Sequence, residues 1–302
     1  MKLNEIRTFV AVAEARSVQE AAGRLRLTQS AVSRLIQRME AEVGVALFDR
    51  QSKRLTLTRD GELALAHGRR VLKEVESFTD AFAPVGEPEG LLRLGVSHVL
   101  ARLLAGGPLD RIRAVYPRMT VRLQSDWSAG LLAATAAGAL EGALVLLPAR
   151  EDPPPGLDGR RLVLEEVHIV GTPDLLARHG RSLETMNAAG WVLQPEGCGY
   201  RTALERALGG DRAPLNVLVE AFDQELLLSL AARGIGFGAA PLRLLADPQV
   251  SGRLVPVQVP GFRLTVAVWL VRARHGGRLS RVFDTLDDSL TEDLMPMHSA
   301  AE

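Results

Sequence analysis

Residues 9–50 read FVAVAEARSVQEAAGRLRLTQSAVSRLIQRMEAEVGVALFDR, and three apolar repeats of helical period run through and just ahead of them. Ile6, Phe9, Val10 and Ala13 fall at i, i+3, i+4 and i+7, the stripe of a first amphipathic helix. Ser17 then precedes Val18, with Glu20 three residues on, a capping box that opens a second helix. Its inward positions are Val18, Ala21, Ala22 and Leu25, and the two alanines leave room for another helix to cross closely. After a break at Arg26-Leu27, a third helix runs from about Thr28 to Val43 on the stripe Val32, Leu35, Ile36, Met39 and Val43.

The outer face of this third helix decides what the segment is for. Gln29, Ser33 and Gln37 form one i, i+4 row and Ser30, Arg34 and Arg38 the next, with no acid before Glu40. Amide, hydroxyl and guanidinium groups hydrogen-bond base edges in a major groove and the phosphates beside it. A plain solvated face has the same composition in many helices. The order of three helices with a short second turn favours a helix-turn-helix. Gly44 is the expected C-terminal cap. Leu47-Phe48 and Leu55-Thr56-Leu57 flank a polar tip, a two-stranded wing carrying Arg50, Lys53 and Arg54 toward phosphate or minor groove.

Working outward, the 36 basic and 36 acidic residues of the whole 302-residue chain cancel. Residues 1–70 hold 13 basic and 8 acidic, an excess of +5, which leaves 23 against 28 and −5 for the remainder. A basic quarter on an acidic body suits a nucleic-acid-facing module. The single Cys excludes a disulfide framework. No apolar run approaches the roughly 18 residues of a membrane span, and Glu5 and Arg7 interrupt the start where a signal peptide would be apolar. The expected location is the cytoplasm. With 47% hydrophobic and 24% charged residues, the length suggests two folded domains of about 150 residues each.

The stretch Phe9–Arg50, together with LTLTRDGE at Leu55–Glu62, resembles the N-terminal domain of LysR-type transcriptional regulators. The resemblance implies that the helix at Thr28–Val43 enters the major groove. Gln29, Ser30, Ser33 and Arg34 would then reach bases or adjacent backbone, and Arg50 and Lys53 occupy wing positions. Ser30 stands where the family commonly has Pro. It also implies an operator of double-stranded DNA, a small-molecule effector, RNA polymerase as a partner, and self-association as a homodimer or homotetramer. No cofactor, metal or catalytic residue is implied.

Thr58 to about Phe82 reads as one long helix, on which Val71, Val75, Phe78 and Phe82 are spaced 4, 3 and 4 apart. That seam packs either on its own domain or on a partner helix, and the resemblance favours a dimerising linker. Residues 84–90, PVGEPEG, mark a hinge. Beyond it, strands at Leu92–Val96, Thr120–Gln124 and Gly142–Leu147 alternate with helices, a βαβ rhythm that argues a largely parallel sheet. A second unit has strands near Leu162–Val170, Trp191–Gln194 and Leu215–Val219, and helices near Asp174–Arg178, Thr202–Leu208 and Gln224–Arg233. Thr265–Val271 and Leu279–Leu290 close the chain as strand and helix. This order is similar to the family's two-lobed α/β effector-binding domain, which resembles type 2 periplasmic binding proteins. The expected organisation is a winged helix-turn-helix at 1–58, a linker helix and hinge at 59–90, and an effector-binding domain at 91–294. Its first lobe is about 91–160 plus 265–290, its second about 161–264, and 295–302 reads as a disordered tail.

Ligands in open α/β sheets bind beyond the carboxyl ends of strands. Three such ends deliver a hydroxyl at a helix start: Ser97, Ser128 and Thr202, the last with Glu205 as a second capping box. Taken singly, each is better read as an ordinary cap, but together, with the loops the family uses, they point to a small polar or anionic ligand at helix N-termini. His98, Trp127, Tyr200, Phe222 and Phe237 add rings, and Cys198 shares the 195–199 loop. Arg201 is the cation expected to meet a carboxylate, unless it pairs with Glu205 instead. Two other classes compete with a regulator. A solute-binding or α/β enzyme domain fused to a DNA-binding module is the alternative, and an enzyme would need a nucleophile–base pair or metal cluster. The six His show no i, i+4 pairing, and no GxSxG, GxxxxGK[ST] or strand–GxGxxG–helix occurs. Residues 234–238, GIGFG, follow a helix and read as a bend.

Overall fold

The computed structural model describes every residue except 50–54, 83–86, 210–213, 246–251, 261, 274–278 and 295–302, and the side chains of 77, 80 and 81. Arg50, Lys53, Arg54 and the expected tail therefore lie outside the described residues. Two compact units divide the chain near residue 86.

In the first unit, α1 (Leu3–Ala15), α2 (Val18–Leu25) and α3 (Gln29–Val43) follow the apolar stripes. Phe9, Val12, Ala21 and Val32 are fully buried, and Ile36, Met39, Leu47 and Phe48 complete the core. Burying a side chain of this size stabilises by about 1.5–3 kcal/mol. The Phe9 and Phe48 rings meet edge to face at 5.5 Å. Leu35 is half-buried and Val43 exposed, so the far end of the α3 stripe is looser than its period suggests. The Ser17 hydroxyl accepts the Glu20 amide at 3.2 Å, but the Glu20 carboxylate turns to Arg24, so the capping box is half made. Thr28 caps α3 by accepting from the Ala31 amide at 3.2 Å.

The wing pairs β1 (Phe48–Asp49) with β2 (Thr56–Leu57), antiparallel. Its base is fixed by Glu40, a buried acid on α3 that accepts from the amides of Leu47 (2.8 Å) and Phe48 (3.3 Å). The first acid on α3 therefore faces inward as an acceptor for wing backbone. The linker helix α4 (Arg59–Ala81) follows. A Cβ on Gly61 would collide with the Leu47 carbonyl oxygen, so only glycine lets α4 start this close to the wing. Phe78 is 69% exposed, Phe82 is 77% exposed just past the helix, and Val71 is exposed beside half-buried Val75.

The second unit is built on a seven-stranded sheet. Its strands are β3 (Gly90–Ser97), β4 (Met119–Asp126), β5 (Gly142–Pro148), β6 (Leu157–Gly171), β9 (Gly238–Pro241), β10 (Val255–Val257) and β11 (Leu264–Ala273). The order is β10-β6-β11-β5-β3-β4, with β9 also on β6. Helices α5 (Ala101–Leu104), α6 (Gly107–Val115) and α7 (Ser128–Ala136) connect the first three strands. The expectation of a largely parallel sheet is corrected. β3 runs parallel to β4 and β5, but β11 is antiparallel to β5 and β6, and β6 to β9 and β10. The chain returns as β11 and inserts between strands far earlier in sequence, which the local βαβ rhythm cannot report. β6 continues through residue 160, so the two expected lobes share this strand.

β5 shows why its sequence is an unbroken apolar run. Leu144 and Leu146 join one core cluster while Ala143, Val145 and Leu147 join another on the opposite face. A small parallel sheet of β7 (Trp191–Leu193) and β8 (Val217–Glu220) stands apart, framed by α8 (Pro173–His179), α9 (Leu183–Ala189), α10 (Gly199–Ala207) and α11 (Gln224–Ala232). The short α12 (Leu242–Leu245) follows β9, and α13 (Ser280–Leu294) packs on α6. No helix among the described residues is long and apolar enough to cross a membrane.

Candidate functional site

Two surfaces emerge, one in each unit. On α3, Gln29, Ser30, Arg34, Gln37 and Arg38 are exposed and Ser33 half-buried, while Val32, Ile36 and Met39 point inward. The turn of the helix thus separates core from polar face as the i, i+4 spacing predicts. Arg38 lies 3.9 Å from buried Glu5, a long contact that leans its guanidinium toward α1. Arg34 makes no ion pair among the described residues, so its guanidinium stands ready for an outside acceptor. Ser30 shares a hydroxyl contact with Thr28 at 3.1 Å, which occupies it at the helix start.

In the second unit, β3 ends at Ser97, β4 at Asp126 and β8 at Glu220. The residues just beyond bring three rings together. His98 and Trp127 meet at 4.8 Å, His98 and Phe222 at 5.5 Å, both edge-on. Trp127 and Phe222 stack at 5.6 Å with their planes 21° apart. Gly197 lies under Trp127: a Cβ there would be 3.2 Å from Cγ of the indole, on a backbone with φ +95°. Glycine is what lets the 195–199 loop pass beneath the ring.

The other expected ligand residues are placed differently. Ser97 is buried and makes no capping bond with its hydroxyl. Ser128 is buried, and its oxygen accepts from the Leu146 amide at 3.0 Å, tying α7 to β5. Thr202 lies inside α10, whose cap position belongs to Cys198, so the second capping box does not form. Tyr200 is fully buried and donates to Glu165 at 3.3 Å. Phe237 is fully buried against Trp191 at 6.0 Å. Arg201 is already held by Glu220 (2.7 Å), Glu205 (2.8 Å) and Glu196 (3.7 Å), and also donates to the Gln194 carbonyl. Burial disfavours its charge, but the bonds to Glu205 and Glu220 outweigh that and hold its pKa above the ordinary value. A guanidinium so occupied has little left for a carboxylate ligand. These placements share one cause: sequence spacing locates a loop but not which side of it faces the core.

Cys198 is 1% exposed, and burial pushes its thiol pKa up, against weaker lowering by the Arg201 and Tyr200 amides and by the Arg201 charge. Nucleophilic attack needs thiolate. The expected result is that Cys198 reacts with Ellman's reagent at pH 8 more slowly in the folded protein than in urea, since burial both lowers its thiolate fraction and shields its sulfur from the reagent. Equal rates in stopped-flow would show an exposed, activated thiol instead.

Two polar residues the spacing did not single out lie next to Phe222 in the fold. Gln194 ends the WVL strand run and is 1% exposed, and Gln224 begins α11; their side-chain amides are hydrogen-bonded to each other. A polar residue at the carboxyl end of an apolar strand was the signal, the same one that pointed to Ser97. Among the described residues, no group of three or more His, Cys, Asp or Glu is arranged to hold a metal.

Comparison with known proteins identifies the two parts of the chain. The family model "Bacterial regulatory helix-turn-helix protein, lysR family" matches residues 3–62, and "LysR substrate binding domain" matches residues 86–294. A probable hydrogen peroxide-inducible genes activator of Mycobacterium xenopi is 38% identical over 145 residues, 48% of this chain and 77% of that protein. The regulator YeiE of Escherichia coli K12 is 26% identical over 94% of this chain and 97% of its own length. A full-length OxyR of Pseudomonas aeruginosa, solved as a cysteine-to-aspartate variant, shares the fold, with a TM-score of 0.76 at 22% identity over 96% of this chain and 94% of that one. With both models together spanning nearly its whole length, the chain belongs to the LysR family of bacterial helix-turn-helix transcriptional regulators.

Proposed function

We propose that the chain reads its operator with Gln29, Ser33, Arg34, Gln37 and Arg38 on α3, with Ser30 at the helix start, and that Arg50, Lys53 and Arg54 add wing contacts. The observation that supports this is an exposed α3 face with no acid before Glu40, carrying an Arg34 without an ion pair among the described residues. A small molecule bound between the lobes at His98, Trp127 and Phe222 shifts the population of two domain geometries, and α4 relays the shift. Val71, Val75, Phe78 and Phe82 join two copies, and pairs of dimers form the tetramer. The regulator works by binding rather than catalysis, in the cytoplasm, and acts on RNA polymerase held at the adjacent promoter.

Salt dependence tests the DNA-binding surface. Each neutralised phosphate contributes about −0.9 to the slope of log affinity against log salt, so a dimer with two phosphate contacts per copy gives about −3.6 or steeper. Fluorescence anisotropy with duplex DNA from upstream of the protein's own coding region measures it. A slope near zero would remove the basic first unit from the interface.

A further inference from the structure

Gln194 and Gln224 lie beside Phe222, where the Ala221 amide donates to the Leu193 carbonyl at 3.2 Å, and their amide pair has a direction. The Gln224 side-chain amide approaches the Ala239 carbonyl at 3.5 Å through Nε2. A backbone carbonyl only accepts, so Gln224 turns its NH2 to it and its Oε1 toward Gln194. Gln194 must then present its own NH2 to that oxygen. The relay ends on Gln194 Oε1, a buried acceptor with no donor among the described residues. Burying such an atom without a donor is unfavourable, and a ligand N–H or O–H would offset that cost.

The charge around it has a sign. Segments 97–102, 126–128, 194–205 and 220–225 carry Asp126, Glu196, Glu205, Glu220, Asp223 and Glu225 against only Arg102 and Arg201. Arg201 is held by three of these carboxylates and Arg102 by Glu225. Stacked Trp127 and Phe222 faces complete the mouth, and the face of an aromatic ring is its negative side.

We propose that the effector of this chain is a small organic cation with N–H donors, a primary ammonium or a guanidinium, that donates to Gln194 Oε1 and lays its charge against Trp127 and Phe222. The proposal rests on the reading of this cleft as the effector site and reverses the anionic preference drawn from Arg201. The two rings now touch each other. A flat cation sandwiched between them needs contact distances of about 3.5 Å on each side, so its entry parts the loops after β4 and β8. Charge recognition is thereby coupled to the separation of the two sides of the cleft.

The test titrates the full-length protein with n-butylammonium, agmatine, tetramethylammonium, butyrate and benzoate, following the Trp127 indole resonance and melting temperature. Probes of this size bind at about millimolar strength at best. Butylammonium and agmatine are expected to shift the indole and raise the melting temperature saturably, tetramethylammonium to bind more weakly because it has no N–H, and the carboxylates not to bind. Gln194→Leu should weaken butylammonium and agmatine about tenfold or more, as for a hydrogen bond to a charged group. Phe222 is more than half exposed, so Phe222→Ala folds and reports the ring contribution independently. Carboxylates moving the indole while cations do not would overturn the charge assignment and leave the cleft reading standing. Cations binding unchanged to Trp127→Ala and Phe222→Ala would overturn the cleft placement itself. No saturable response to either cation would overturn the proposal.

Discussion

Arg34→Ala is expected to weaken specific operator binding by about 1–3 kcal/mol per half-site, roughly 5- to 150-fold, with little change in effector affinity. The guanidinium has no carboxylate partner to release among the described residues, so its removal leaves nothing unpaired in the free protein. The loss then falls on the complex alone. In a two-fold dimer the substitution occurs twice, and the penalties add across well-separated half-sites. Arg38→Ala should cost less, because Arg38 already leans on Glu5. The two differ in kind as well. A base-reading arginine lost at position 34 relaxes discrimination between operator and random DNA, whereas a phosphate-binding one lost at 38 lowers both alike and flattens the salt slope. Competition binding with specific and scrambled duplexes separates these outcomes, and undiminished preference for the operator in Arg34→Ala would remove Arg34 from base recognition.

The parts of this molecule that sequence could read are those governed by neighbours along the chain. Helical stripes such as Val32, Ile36 and Met39 need only a period, and Gly44 only a backbone conformation. The outer face of α3 was readable for the same reason, since what is left over from a buried stripe is solvent-facing. The antiparallel entry of β11 between β5 and β6 was not, because it pairs Val266 with Pro148, residues over a hundred positions apart. The cleft divided along the same line. Strand ends locate the loops that carry His98, Trp127 and Phe222, whose rings meet in the fold. Tyr200 and Phe237 turned into the core, and Arg201 into a nest of carboxylates, because the deciding partners Glu165, Trp191 and Glu220 come from other strands. Glu40 makes the same point within the first unit: its acid is used by wing amides seven and eight residues on, not by solvent.

The double substitution Phe78→Asp, Phe82→Asp is expected to dissociate the dimer at concentrations where the parent protein is fully paired. The two rings contact each other at 5.2 Å and are 69% and 77% exposed, so the isolated chain gains little from them. Positions 71, 75 and 78 follow the spacing of a coiled-coil seam on α4, and Phe82, just past its end, keeps its ring against Phe78 on the same side. In the proposed two-fold dimer, four phenylalanines meet in the interface. At about 1.5–3 kcal/mol for each buried side chain, part of it offset by the entropy of association, at least about a thousandfold in dissociation constant is at stake. Four like charges in the same seam add repulsion. Because the rings are exposed within one chain, melting of the single units should be nearly unchanged, which distinguishes a broken interface from a broken fold. Operator binding should fall further than in Arg34→Ala, because a monomer holds one half-site and loses the effective concentration that delivers the second. Sedimentation velocity reads the first effect and anisotropy the second. A variant that still sediments as the parent assembly would show that α4 pairs through another face, and the exposed phenylalanines would then require a different partner.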